Sequence, residues 1–403
     1  MTSKIFLTAI SILLMFTLGG CWDRKELNEL GIAVAIGVDT APKNQFKVTA
    51  QVVVPSEVAA GQSSKGGTSV TVYEEVAPTM MEAIQKMTEI SPRKVYLGHI
   101  RMFVIGEALA RKGIASVVET LVREPTVRAD FYVAVAKEGA ASDILQVTTP
   151  LEPIPANKMY ASLTVSSEAW APTTKVTVDE LMKTLMNSGC PVLPGIQAVE
   201  NKSDSDKGNS KDNIASTIPV MDLKFNGLGV FKKDRLIGWL NENESKGYNY
   251  IQNQIKESME HVDTDKGVRI GIRTFDSKTD VKGSVVRGNP VIRIHVKSRG
   301  AIEEIHGKSQ ALDSTQSLHW LEQQDNKHVT ELMQMAVHSA QHTYKADIFG
   351  FGELIHESDP KAWKKLKPNW DQTFPEVKVY YLTQVKLRKV GMLLDTFQQK
   401  MKE

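Results

Sequence analysis

"GIAVAIGVDTAPKNQFKVTAQVVVP", residues 31–55, decides the fold class. Ile32, Val34, Ile36 and Val38 alternate with small residues. Val48, Ala50, Val52 and Val54 alternate with Lys47, Thr49 and Gln51. A period of two sends successive side chains to opposite faces of a strand. A polar turn with Pro42 and Asn44 joins the runs, so the spacing predicts a β-hairpin with one buried face.

Further elements follow at short intervals. "VTVYEEV" (70–76), "HIRMFVIG" (99–106) and "RADFYVAVA" (128–136) read as strands. "TMMEAIQKMTEI" (79–90) reads as a helix with Met80, Ile84 and Met87 on one stripe. "ALARKGIASVVETLVRE" (108–124) reads as another, stopping before Pro125. Between the strands at 31–55 and 70–76, "SEVAAGQSSKGGTS" has the composition of a flexible loop. Residues 150–172 are rich in proline and small polar residues, and the helix "TVDELMKTLMNSG" (177–189) follows. "ENKSDSDKGNSKDN" (200–213) is the most polar stretch and reads as a linker.

Beyond it, "FNGLGVFKKDRLIGWLN" (225–241) predicts a hairpin around Lys232–Arg235, and "ESKGYNYIQNQI" (244–255) a helix. "VRIGIRT", "GSVVRG" and "VIRIHVKS" predict strands, the last with Ile292, Ile294 and Val296 inward and Arg293, His295 and Lys297 outward. The longest helical pattern runs from Asp325 to Ile355. In "EVKVYYLTQVKLRKVG" (376–391), Val377, Val379, Tyr381, Val385 and Leu387 alternate with Lys378, Gln384, Lys386 and Arg388. That suits an antiparallel sheet covered on one face by the long helix. The expected fold is α+β and multi-domain, with mixed or antiparallel sheets each packed against helices. Its parts are a lipoprotein signal peptide (1–20), an N-terminal α/β region (21–199) of one subdomain or of two divided near 150–175, a polar linker (200–217) and a C-terminal α+β domain (218–398). A chain of 403 residues exceeds what one core usually supports. A net charge of +2 gives no single-sign field, which argues against a nucleic-acid partner.

The N-terminus reads as an export signal: Lys4, then an apolar run from Ile5 to Leu18 too short to span a bilayer, then Gly19 and Gly20. "LGGC" (18–21) resembles a bacterial lipobox, in which the cysteine becomes the new N-terminus and carries diacylglycerol. Cys21 is therefore the candidate attachment point, as an N-palmitoyl, S-diacylglycerol cysteine; two or more acyl chains anchor stably where one does not. After it, Asp23 and Glu26 form a variant capping box, with Trp22 and Leu27 as the staple of a helix that Gly31 ends. Cys190 is left unpaired, as a small apolar residue.

Catalytic patterns are weak. His338 and His342 have the spacing of a zinc pair, but Ser339 stands where the motif needs glutamate, so a solvated or partly packed helix face is the better reading. "NGLGVF" and "FGFGEL" lack the third glycine of a dinucleotide site. The basic run "KAWKKLKPNW" (361–370) has the composition to meet phospholipid head groups or nucleic acid, but a solvated helix end whose Trp363 and Trp370 pack inward is the better reading. No catalytic residue, cofactor or metal is expected, which favours a binding or assembly role.

Five stretches resemble the Ger(x)C family of spore germination lipoproteins: "GCWDRKELNELGIAVAIGVD" (20–39), "KVYLGHIRMFVIGEALA" (94–110), "REPTVRADFYVAVAKEGA" (123–140), "GVFKKDRLIGWLNENESKGY" (229–248) and residues 346–391. The resemblance implies a non-enzymatic C subunit of a nutrient germinant receptor, held by the lipid on Cys21 to the outer face of the inner spore membrane. It implies A and B subunits as partners and a soluble part of mixed α and β domains. Whether the small-molecule germinant touches this subunit stays open; the alternative is a ligand-binding lipoprotein that captures the nutrient itself.

Overall fold

The computed structural model describes residues 29–59, 67–187, 189–201, 208–215, 217–264, 267–306 and 315–389. Cys21 and the helix expected from Asp23 lie outside them. The first sheet has nine strands. They are β1 (Leu30–Ala41), β2 (Gln45–Val53), β3 (Val70–Ala77), β4 (Lys94–Tyr96), β5 (Met102–Gly106), β6 (Tyr132–Ala136), β7 (Val192–Glu200), β8 (Met221–Lys232) and β9 (Arg235–Leu240). Their order is β3-β2-β1-β5-β6-β7-β8-β9, with β4 beside β1. Strands β1, β5, β6 and β7 run parallel, and antiparallel pairs continue the sheet on both sides.

The opening hairpin forms, but it is buried on both faces rather than one. Ile36, Val38, Val48 and Ala50 face one core. That core also takes helices α1 (Met80–Lys86), α2 (Glu107–Lys112) and α3 (Ala115–Arg123). Val34 and Ala35 face a second core, with α4 (Ala141–Gln146) and α5 (Pro155–Ala169). The small residues of β1 are where α4 settles: a Cβ on Gly37 would stand 3.1 Å from that of Ala141. The polar residues of the hairpin, expected to face water, hold α4 and α5 instead. Asp39 accepts from the N–H groups of Ala141 (2.8 Å) and Ser142 (3.0 Å). Gln51, fully buried, donates to the Leu145 carbonyl (2.8 Å) and accepts from the Ala156 N–H (3.0 Å). Parallel strands covered on both faces alternate between cores, so Phe103 and Ile105 join the first and Met102 and Val104 the second. Each such buried side chain contributes roughly 1.5–3 kcal/mol.

Several boundaries differ from expectation. Gly113, at φ 138°, splits the predicted helix at 108–124 into α2 and α3. The proline-rich stretch contains α5, with Pro155 in its first turn, where the missing N–H costs nothing. Helix α6 (Val178–Met186) starts where expected, on a capping box of Thr177 and Glu180. The polar stretch at 200–217 does not end the first sheet. Strands β7 and β8 pair across it, and fully buried Asn213 donates to the carbonyls of Thr148 and Met221. The hairpin β8–β9 therefore completes the first sheet.

Helix α7 (Glu242–Ile251) leaves β9 at once on a capping box of Asn241 and Glu244. The second sheet is β10 (Ser258–Asp263), β11 (Arg269–Val286), β12 (Asn289–His306) and β13 (Lys378–Lys389), in that order. Its inner face carries Ile292, Ile294 and Val296 as predicted. Helix α8 (Thr315–His338) covers it with α7 and α9 (Phe351–Ser358). Strand β13 is parallel to β12, not antiparallel as expected, because the chain crosses over through these helices and returns to the same end. Its free edge is covered: Val385 N–H donates to Asn326 (2.7 Å) and Leu387 N–H to Glu322 (3.1 Å), both on α8. The long helical pattern breaks at His338. A π-helical turn, Ser339–Tyr344, and left-handed Lys345 (φ 49°) separate α8 from α9.

Helices α7 and α8 touch at Gly247, where a Cβ would collide with the Leu332 carbonyl oxygen. Backbone cannot yield as a flexible side chain does. Gly247→Ala is expected to destabilise the chain by about 1–3 kcal/mol, read as a lower urea midpoint with an unchanged slope.

Candidate functional site

Open α/β sheets usually bind ligands beyond the carboxyl ends of their parallel strands. Here that rim is filled by the protein's own carboxylates. Asp39, at the end of β1, occupies the N-terminus of α4; burial pushes its carboxyl up while the N–H groups of Ala141 and Ser142 oppose the rise. Gly106, ending β5, has no room for a side chain because Asp39 lies against it. Glu107 accepts from Glu138 N–H (2.6 Å), from Arg111 Nε (3.0 Å) and from Trp239 Nε1 (3.4 Å). Against the cost of partial burial, these donors hold its carboxyl below the usual range. The rim thus locks α4 and the β9 edge to the sheet and offers an anion no free donors at these positions.

A second polar cluster lies between α7, β10 and α8. Lys246 is 3% exposed. Its Nζ stands 3.5 Å from Glu260 and 3.6 Å from the ring centre of Trp170, just past α5, and donates to the Met259 carbonyl (3.3 Å). Glu260 accepts from Ser258 (2.6 Å) and meets Nε2 of His328 at 3.1 Å. Burial works against the Glu260 carboxylate, but the His328 hydrogen bond and the Lys246 charge hold its pKa below the ordinary value. The same hydrogen bond raises that of His328. Asp325 is fully buried beside them, and neither carboxylate oxygen finds a hydrogen-bond partner among the described residues. Burial, with the nearby Glu260 charge, pushes its carboxyl up to about 7.

Between α6, the start of β7, α7 and the turn before α9 lies a cleft of about 350 Å³, lined among others by Lys175, Cys190, Tyr248, Gln252, Gln254 and Phe349. Thr174 donates to Gln254 at its edge. Asp347, also on the wall, is taken by the N–H groups of Phe351 (2.9 Å) and Gly352 (2.7 Å) and by Trp370 Nε1 (3.0 Å). Cys190 is a free thiol, and burial pushes its pKa up to about 11, so it stays protonated and unreactive near neutrality.

The residues singled out in the sequence scatter. Cys21 lies outside the described residues. The rings of His338 and His342 face each other at 4.7 Å, and no group of three metal-ligating side chains forms among the described residues. Trp363 and Trp370 pack inward as expected, edge to face at 5.1 Å over Gly352, where a Cβ would meet both. The buried cluster was not foreseen. Lys246 sits in a run of polar residues, and only the spacing of Asp325 and His328 on one side of α8 hinted at a shared environment.

Comparison with known proteins gives one consistent result. A model of the spore germination protein N-terminal domain matches residues 23–198. A model of the spore germination B3/GerAC-like C-terminal domain matches residues 226–391. Spore germination protein KC of Bacillus subtilis is 28% identical, over 100% of both chains. Spore germination protein B3 of the same organism is 26% identical, covering 95% of this chain and 97% of its own. The crystal structure of the GerBC protein shares the fold, with a TM-score of 0.56 over 91% of this chain and 99% of that one, at 22% identity.

The Asp325 carboxyl makes a testable demand on stability. Its folded pKa lies above its unfolded value, so the folded state binds the proton more tightly. Below the unfolded pKa the group makes no difference. As pH rises from there through about 7, stability is lost, and it stays lost above. Asp325→Asn is expected to stabilise the chain at pH about 8 by roughly 1–3 kcal/mol and to have little effect at pH about 4, measured by urea unfolding at both.

Proposed function

Because this chain belongs to the Ger(x)C family of spore germination proteins, matched by both of the family's domains in order, we propose that it is the lipid-anchored, non-enzymatic C subunit of a nutrient germinant receptor. The observation that carries this reading is coverage: its relatives in spore germination align from end to end, so the whole architecture is shared. The lipobox-like "LGGC" stands a short segment before β1, where diacylglycerol on Cys21 holds the first sheet near the outer face of the inner spore membrane. The partners are the membrane-embedded A and B subunits, and the subunit acts by docking on them. In keeping with that, the carboxylates at the strand rim and the cations of the buried cluster are spent on internal contacts.

A second reading is favoured by the cleft beside Cys190 and Tyr248, whose 350 Å³ falls within the range of small-molecule sites. In it the chain captures the nutrient itself. Calorimetry of the purified chain against amino acids, sugars and nucleosides separates the two readings, and the docking reading expects no binding at millimolar concentrations. Cys21→Ala is expected to release the protein from spore membrane fractions and to slow germination with at least one nutrient. A membrane-bound variant with normal germination would sink the anchored reading.

A further inference from the structure

The outer face of the second sheet is a charged surface that no helix among the described residues covers. Helices α7, α8 and α9 cover only the inner face. Along the middle strand, Arg293, Lys297 and Arg299 point outward with His295 among them. On one side β11 adds Lys278 and Lys282, and on the other β13 adds Lys378. The carboxylates of β11 that stand among these cations are engaged. Asp276 pairs with Arg299 at 2.7 Å and Asp280 with Lys282 at 3.0 Å. No carboxylate among the described residues pairs with Lys278, Arg293, Lys297 or Lys378. Among these cations stand two large exposed side chains, Tyr380 (55% exposed) and Leu382 (53%), which register with Arg293 and His295.

We propose that this face docks on an anionic phospholipid bilayer. The unpaired cations demand a polyanion. Apolar tips beside them suit the boundary between headgroups and acyl chains, where a tyrosine and a leucine can sink while lysine and arginine heads stay at the phosphates. Nucleic acid would instead want several stacking platforms, to which Leu382 contributes nothing. The preference for a bilayer over another polyanion rests on the anchored reading above, which keeps this face close to a membrane. Docking then fixes how the subunit lies on the surface, because it adds a second point of attachment to the lipid on Cys21.

The test uses the chain from Trp22 onward, which holds every residue of the two sheets and their helices but no acyl chain. It is sedimented with vesicles of phosphatidylglycerol and phosphatidylcholine, and with phosphatidylcholine alone. Binding is expected to the anionic vesicles only and to weaken as salt rises. The variant Lys278→Glu, Arg293→Glu, Lys297→Glu is expected to lose roughly 100-fold in partitioning. Tyr380→Ser with Leu382→Ser should weaken what remains at high salt. Lys361→Glu, Lys364→Glu, Lys365→Glu, on the exposed basic run after α9, should leave binding unchanged. Matched unfolding midpoints confirm that the variants are folded. Equal binding to neutral vesicles, no binding to anionic ones, or equal losses from the two sets of charge reversals overturns the proposal. Capture of a purified receptor subunit through this face, without vesicle binding, assigns it to an acidic protein partner and overturns the bilayer. Mass spectrometry of Cys21 reads the lipid anchor independently, so the two ideas can fail separately.

Discussion

The close approach of α7 to α8 at Gly247 is the constraint on which the rest of the molecule depends. Helix α7 begins one residue after the last strand of the first sheet, and α8 lies on the second sheet. Their contact leaves no room for a Cβ, because the Leu332 carbonyl oxygen faces Gly247 directly. With so little slack, the two sheets are fixed to each other through a pair of helices rather than through a linker. The neighbouring Lys246 is then pressed into the interior, under Trp170 and beside Glu260. The cleft lined by Cys190 and Tyr248 is the space left where the two layers do not quite meet.

That arrangement explains why charges are buried between α7, β10 and α8. An ion pair moved out of water costs more in desolvation than its attraction returns unless hydrogen bonds complete it. Glu260 meets this condition through Ser258, His328 and Lys246. Asp325 does not, and it is the strained member of the group. A network of this kind specifies how α7, β10 and α8 fit together more than it adds to stability.

The two sheets manage their surfaces differently. The first is covered on both faces, and its rim is closed by Asp39 and Glu107. The second is covered on one face, its β13 edge is capped by Asn326 and Glu322, and its outer face is left open and basic. The interior of the first unit thus looks structural, while the second presents the surface.

Local signals in the sequence determined a good deal. The period of two in β1, β2 and β12 marked strands, the run from Thr177 to Gly189 marked α6, and the two tryptophans after α9 were legible as packing residues. Family membership was legible too, because long stretches keep their order along the chain. What periodicity could not say was what lay on the far side of each strand. Thr49 and Gln51 look solvent-facing in a hairpin, and only the return of α4 and α5 over that face made them buried. The direction of β13, the membership of β8–β9 in the first sheet and the meeting of Lys246 with Glu260 and His328 were likewise decided in three dimensions. The physical reason is common to all of them. Backbone propensity and side-chain alternation act over a few residues, whereas crossover direction, second-face burial and charge pairing are set by segments tens of residues apart.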